Sequence, residues 1–214
     1  MNVIVENFPY LAKAALETVW LSAASIAISV AIGTPIGVLA AFRVRPVMVL
    51  NQIGVLLVRG IPVLVIIYFT FFTLPLIKIF IDPYTTAVVS LSGYFTFFVS
   101  EIVRGTVASV PRGQIDAGKS IGLSFWRRAR LIVLPIASRA ALPPLINVGI
   151  TVVKATSYAT VISAWELATA SNEVAQRTVE PFQIYGVALV LYFVICFALT
   201  RLAGIAEARL AFKY

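Results

Sequence analysis

The hydrophobic pattern divides the chain into five long apolar runs separated by short polar ones, over about residues 18–42, 61–80, 85–103, 140–162 and 182–202. Crossing the hydrocarbon of a bilayer takes about 20 mostly apolar residues in a helix, because only a helix satisfies its own backbone there. The pattern predicts an all-α polytopic membrane protein with about five transmembrane helices, a single domain over residues 1–214. In the first run, Gly33-Thr34-Pro35-Ile36-Gly37 is a small-xxx-small pattern that permits close helix contact, with Pro35 a bend. Whether a partner helix uses that face is open at this level.

One polar stretch, Glu101 to Leu134, interrupts the apolar pattern and carries Arg104, Arg112, Lys119, Arg127, Arg128 and Arg130. Its local signals predict a short helix between two turns. Pro111 suits a helix start, and Gly122 suits the left-handed position after a helix end, with Leu123 as the apolar contact of a Schellman turn. Ala117 and Gly118 leave one face small. A helix this short is marginal in water and must dock on something.

Charge orients the spans. Cytoplasmic loops are enriched in Lys and Arg. Of the 17 basic residues, Arg43, Arg45, Arg59, the six above, Arg139, Arg201, Arg209 and Lys213 fall on one side of the predicted topology. Lys13, Lys78 and Arg177 fall on the other, with Glu6, Glu17, Asp82, Glu166, Glu173 and Glu180, while Lys154 lies inside a span. The N-terminus is therefore expected outside, the C-terminus and the 104–130 loop in the cytoplasm. The net charge of +8 follows from this topology, so nucleic acid is not an expected partner. A single cysteine, Cys196, excludes an internal disulfide, and the absence of histidine argues against metal chemistry. No cleavable signal peptide is expected: the start carries Glu6 and Pro9 and no small-residue cleavage site.

Residues 113–120, GQIDAGKS, match the phosphate-loop pattern G-x-x-x-x-G-K-[ST]. That loop works between a buried strand and a helix, where backbone N–H groups cradle phosphates. Here a membrane span and a proline precede it, and no strand ending in Asp follows, so nucleotide binding is rejected.

The same residues resemble a different family. Gly113-Gln114-Ile115-Asp116-Ala117-Gly118 followed by Gly122-Leu123-Ser124 is similar to the EAA loop of ATP-binding-cassette importer permeases. Glu101 to Gly105, Ser109 to Gln114, Leu134-Pro135, Arg139, Leu142-Pro143-Pro144, Asn147, Lys154 with Thr156-Ser157, and Arg59-Gly60-Ile61-Pro62 resemble its polar amino acid uptake type. The likeness runs from about residue 18 to the end. Asp116 stands where the family usually has Glu, Gly118 where it has a second Ala, and Ala155 where an acid often follows the Lys. The resemblance implies that Arg112, Gly113, Gln114, Asp116, Ala117, Gly118, Lys119 and Gly122 couple to an ATPase. It also implies a second permease subunit (homo- or heterodimer), two ATP-binding subunits that hold ATP and Mg, and an extracytoplasmic amino acid binding protein. The location implied is the bacterial cytoplasmic (inner) membrane. No cofactor is expected on this chain.

Ionisable groups inside spans are costly and are functional candidates by default. From Arg139 at the inner interface, Lys154 lies about 22 Å along a helix at about 1.5 Å per residue, past mid-membrane. Asn147, Lys154, Thr156 and Ser157 are candidates for a polar substrate path, and Pro143-Pro144 weakens the helix beside them. The alternative is that Lys154 snorkels outward and Asn147 bonds a neighbouring helix. Arg59, Glu101, Arg104 and Arg139 are expected to form a structural charge cluster at the inner end, and Trp165 an interfacial anchor. No catalytic triad, zinc site or paired carboxylate is evident, so the chain is read as a transport subunit of an amino acid importer and not an enzyme. The rival is a secondary transporter or channel subunit working without an ATPase, which calls for inverted repeats or a mid-membrane acid.

Overall fold

A computed structural model describes residues 2–210; of the basic tail, the side chain of Arg209 and all of Lys213 lie outside what is described. The helices are α1 (Asn2–Ala41), α2 (Arg45–Gly60), α3 (Val63–Thr73), α4 (Pro83–Ala108), α5 (Arg112–Ser120), α6 (Phe125–Arg128), α7 (Leu134–Ala155), α8 (Leu167–Thr178) and α9 (Pro181–Leu210). A single 3-10 turn follows α3, a π turn over Ala129–Val133 joins α6 to α7, and a 3-10 stretch over Thr156–Ile162 follows α7. The described residues contain no strand, as the apolar pattern predicts. Among the described residues, four helical stretches are long and apolar enough to cross a membrane: Val3–Ala41, Pro83–Ala108, Phe125–Ile162 and Pro181–Ile205. A fifth span exists if α2 and the helix beginning at Val63 are taken together.

The central contact is between α1 and α4. Thr18, Ser22, Ser25, Ser29, Gly33, Gly37 and Ala40 fall at steps of three or four along α1 and are all buried. Such spacing puts them on one face of a helix. A Cβ on Gly33 would lie 2.5 Å from the Thr96 carbonyl oxygen, and one on Gly37 would lie 2.4 Å from that of Ser100. Only glycine admits this approach, and small residues are how helices associate in lipid, where apolar area alone gives no preference for protein over acyl chain. The Ser29 hydroxyl donates to the Ser92 carbonyl at 3.1 Å across the same seam. Residues on α1 pair in ascending order with residues on α4, so the two helices run parallel.

Each neighbour then has a fixed place. Asp82 caps α4, accepting from the Thr85 N–H at 3.0 Å, with Pro83 at the first position where a missing N–H costs nothing. Hydrogen bonds from Thr85 hold the Asp82 carboxyl below its usual range. The apolar centre joins α1, α3, α4, α7 and the 3-10 stretch through Leu21, Ile67, Leu91, Phe95, Val152 and Ala159.

Two regions differ from the sequence expectation. The run at 61–80 holds a helix of Val63–Ile77, too short to pass as a span by itself, and an unexpected helix, α2, precedes it and meets it at 105°, with the break at Ile61 and Pro62. Pro62 supplies no N–H and pushes Ile61 into extended backbone, which ends α2. The first helix also begins at Asn2, not near residue 18, and 40 residues at about 1.5 Å each make it about 60 Å long. Its early turns are covered by α8, an element the apolar pattern did not reveal. Leu11, Ala14 and Ala15 pack against Leu167, Ala170, Val174 and Ile184 of α8 and α9.

Glu166 locks this second core. It caps α8 and is fully buried. One carboxyl oxygen accepts from the N–H groups of Ala168 (2.8 Å) and Thr169 (3.1 Å). The other accepts from the Thr18 hydroxyl of α1 (3.1 Å) and the Tyr192 hydroxyl of α9 (2.6 Å). A buried carboxyl survives only with its lone pairs filled, and here three helices fill them.

If the α1–α4 seam sets the fold, Gly33→Leu overpacks it by about 1–3 kcal/mol. The expected outcome is a lowered thermal unfolding midpoint in detergent, with Gly186→Leu, where a Cβ meets nothing within 4 Å, leaving the midpoint unchanged.

Candidate coupling loop and transport path

The α1, α4 and α7 ends that meet the 104–130 loop lie together, and α5 sits there. Pro111 precedes the nine-residue α5, which ends in a complete Schellman turn. Gly122 has φ +74°, its N–H donates to the Lys119 carbonyl at 2.9 Å, and the Leu123 N–H donates to the Gly118 carbonyl at 3.0 Å. Arg128 adds a guanidinium donor to the Leu123 carbonyl at 2.5 Å.

The inner face of α5 is made by Ile115 and Gly118, three residues apart, against the π turn. A Cβ on Gly118 would meet Ile132 Cδ1 at 2.6 Å and Arg128 Cδ at 3.2 Å. Gly118 therefore packs on its own chain and is buried, whereas the sequence placed it on an open face beside Ala117. The correction follows from helix geometry: consecutive residues cannot share a face. Arg112, Gly113, Gln114, Asp116, Ala117 and Lys119 are exposed. Asp116 and Lys119 pair at 2.7 Å, and the Lys119 ammonium holds the Asp116 carboxyl below its usual range.

Arg59, Glu101 and Arg104 share one open cavity of about 640 Å3 with Arg43, Gln52 and Ala108. Arg104 grips Glu101 through Nη2 at 2.6 Å and Nε at 2.8 Å. Asn51 of α2 donates to Glu101 at 3.4 Å and accepts from the Ser100 hydroxyl at 2.5 Å. Arg139 does not line this cavity; it is exposed on α7. Arg59 lies deeper than expected. On α2, Asn51 meets Ser100, Gly54 leaves room for the Phe97 ring, and Leu57 and Val58 border Gly93 and Tyr94. Tyr94 is roughly 20 Å from the end of α4 at Ala108, at about 1.5 Å per residue.

Asn147, Thr151 and Lys154 on α7 and Tyr158 on the 3-10 stretch after it are exposed at steps of four, three and four. Thr151, Lys154 and Tyr158 line a second cavity, of about 430 Å3, with Val63, Tyr94, Phe98 and Ala155. Thr156 is fully buried and donates to the Val153 carbonyl at 2.8 Å, so it faces away from this cavity. Ser157 donates to the Lys154 carbonyl at 2.7 Å and does not line the cavity either. Thr151 and Tyr158 were missed; their spacing from Lys154 was the signal that could have found them. No described carboxylate lies within ion-pair distance of Lys154. A Lys near mid-membrane costs about 2.5–3.5 kcal/mol on insertion scales unless water, a partner or an anion meets it.

The sequence between residues 33 and 212 matches the family of binding-protein-dependent transport system inner membrane components. The chain belongs to this family. The permease is 34% identical over 169 residues to the L-cystine transport system permease protein TcyB of Bacillus subtilis, covering 78% of this chain and 72% of that one. It is 33% identical over 215 residues to the glutamine transport system permease protein GlnP of Escherichia coli, covering 98% and 96%. Its fold is also that of a solved amino acid ABC transporter crystallised with histidines, with a TM-score of 0.90, 24% identity and 96% of each chain covered. A methionine transporter, MetNI, in an inward-facing form gives a TM-score of 0.77 at 19% identity, covering 94% of this chain and 96% of that one.

Because Gly118 is an internal contact, Gly118→Leu is expected to lift α5 off the π turn and raise amide exchange over residues 112–123 by on the order of tenfold. Ala117→Leu, on the exposed face, is expected to leave exchange at the parental rate. Equal effects of the two would contradict the packing.

Proposed function

We infer that the permease is the transmembrane subunit of an ATP-driven amino acid importer in the bacterial cytoplasmic membrane. Amino acid permeases among its relatives, matched over nearly their whole length, support the substrate class. The observation that carries the coupling role is α5: a short helix closed at its end, anchored inside by Ile115 and Gly118, with Gln114, Asp116 and Ala117 turned outward. An isolated nine-residue helix is marginal, so a preorganised exposed one is suited to docking.

In this reading two ATP-binding subunits grip α5 and its partner copy, and ATP and Mg belong to them. The Arg112 and Lys119 side chains flank the docking face. A second permease subunit covers the exposed faces of α4 and α7, where Lys154 otherwise meets lipid. An extracytoplasmic binding protein delivers the amino acid. The N-terminus lies outside and α9 ends in the cytoplasm, following the bias of basic residues to the α5 end.

Two measurements test this. In a Cys196→Ala background, Ala117→Cys is expected to crosslink to the co-purified ATPase and Gln176→Cys on α8 is not. An impermeant thiol reagent on intact cells is expected to label Gln176→Cys and spare Arg127→Cys. Purification without any ATPase, or the reverse labelling, overturns the coupling role and favours a transporter that needs no ATPase.

A further inference from the structure

Resting on the amino acid importer reading, we propose that the path selects amino acids with a second carboxylate, such as L-glutamate and L-aspartate. Tyr94, Phe98 and Glu101 are spaced four and three along α4 and so share one face. Tyr94 and Phe98 line the cavity that holds Lys154, and Glu101 lines the cavity that holds Arg59. One strip of α4 therefore joins the two cavities into a single route toward the α5 end.

The charge along this route is unbalanced. Arg104 and Glu101 neutralise each other at 2.6 Å. Lys154 makes no hydrogen bond or ion pair with any described residue; Arg59 makes none either but lies within Coulombic reach of Glu101, so one carboxylate faces two guanidinium groups. Arg43, in a left-handed turn at φ 60°, lines the same cavity as Arg59. The other described carboxylates lie elsewhere. Asp82 caps α4, Glu166 is sealed among α1, α8 and α9, and Glu173 accepts from Tyr10. Glu180 accepts from Gln183 and Asp116 pairs with Lys119. Glu17 lies near Tyr84, and neither it nor Glu6 lines either cavity. Ala155 lines the Lys154 cavity and brings no charge.

An amino acid carries one ammonium and one carboxylate that cancel. A cationic side chain would enter a route where Arg43, Arg59, Arg104 and Lys154 stand against Glu101 alone, and like charges in a poorly solvated space repel. A neutral side chain leaves that excess of positive charge as it is. A second carboxylate gives the solute a net negative charge, which offsets the excess.

The test reconstitutes the complete importer, with its ATPase and binding protein, and measures ATP-dependent uptake of labelled L-glutamate, L-aspartate, L-glutamine and L-arginine. The expected result is at least tenfold faster uptake of an acidic amino acid than of L-glutamine or L-arginine. Lys154→Gln and Arg59→Gln should each narrow that ratio by raising relative uptake of L-glutamine, while Lys154→Arg keeps it. ATP-dependent uptake of L-glutamine or L-arginine at rates equal to or above L-glutamate overturns the charge selection and leaves the importer reading intact. An unchanged ratio in both glutamine variants also overturns it, placing selection outside this route. Absence of ATP-dependent uptake of all four overturns it together with that reading.

Discussion

The close approach of α1 to α4 is the constraint on which the rest depends. Lipid gives two helices no apolar reason to associate, so the contact must come from shape. Gly33 and Gly37 bring the α1 backbone against the Thr96 and Ser100 carbonyls, and the serines above them continue the seam. With one side of α4 committed to α1, Gly54 lets α2 close over Phe97 on another side. Phe95 packs toward α7 on a third. What remains is the strip through Tyr94, Phe98 and Glu101, which borders both cavities.

Polar groups at membrane depth are handled in two contrasting ways. Glu166 is satisfied by two backbone N–H groups and two hydroxyls, and Asn51, Ser100, Glu101 and Arg104 form one continuous hydrogen-bonded set. Such groups tie helices together. Arg59 and Lys154 have no such partners among the described residues. Satisfied groups build the frame, and in the proposed route Arg59 and Lys154 are the cations left to meet a solute.

The sequence made much of this legible, for physical reasons. Apolar runs announce helices in lipid because the alternatives leave backbone groups unpaired. Pro111 and Gly122 announced the bounds of α5 because each residue suits one backbone geometry. What the pattern missed depends on neighbours. The helix α8 is short and largely polar, and the sequence placed Glu166 only with the acids of the outer side, whereas Thr18 and Tyr192 come to it from distant helices. The depth of Arg59 was hidden by the turn at Ile61 and Pro62, which sends α2 up alongside α4 before the chain reverses. Gly118 was misplaced because smallness alone does not say which side of a helix is crowded.

The account stands on the Tyr94–Phe98–Glu101 strip and the facing side of α7 being wet. In the assembled transporter, with Cys196→Ala as background, a charged thiol reagent should be offered to Tyr94→Cys, Phe98→Cys, Thr151→Cys and Tyr158→Cys. The comparison positions are Leu189→Cys and Phe193→Cys on the exposed apolar side of α9. The four strip positions are expected to react faster than the α9 pair and to be protected by transported amino acid. Reaction no faster than at Leu189 and Phe193 would mean that this face is buried in lipid or protein and that the solute crosses elsewhere.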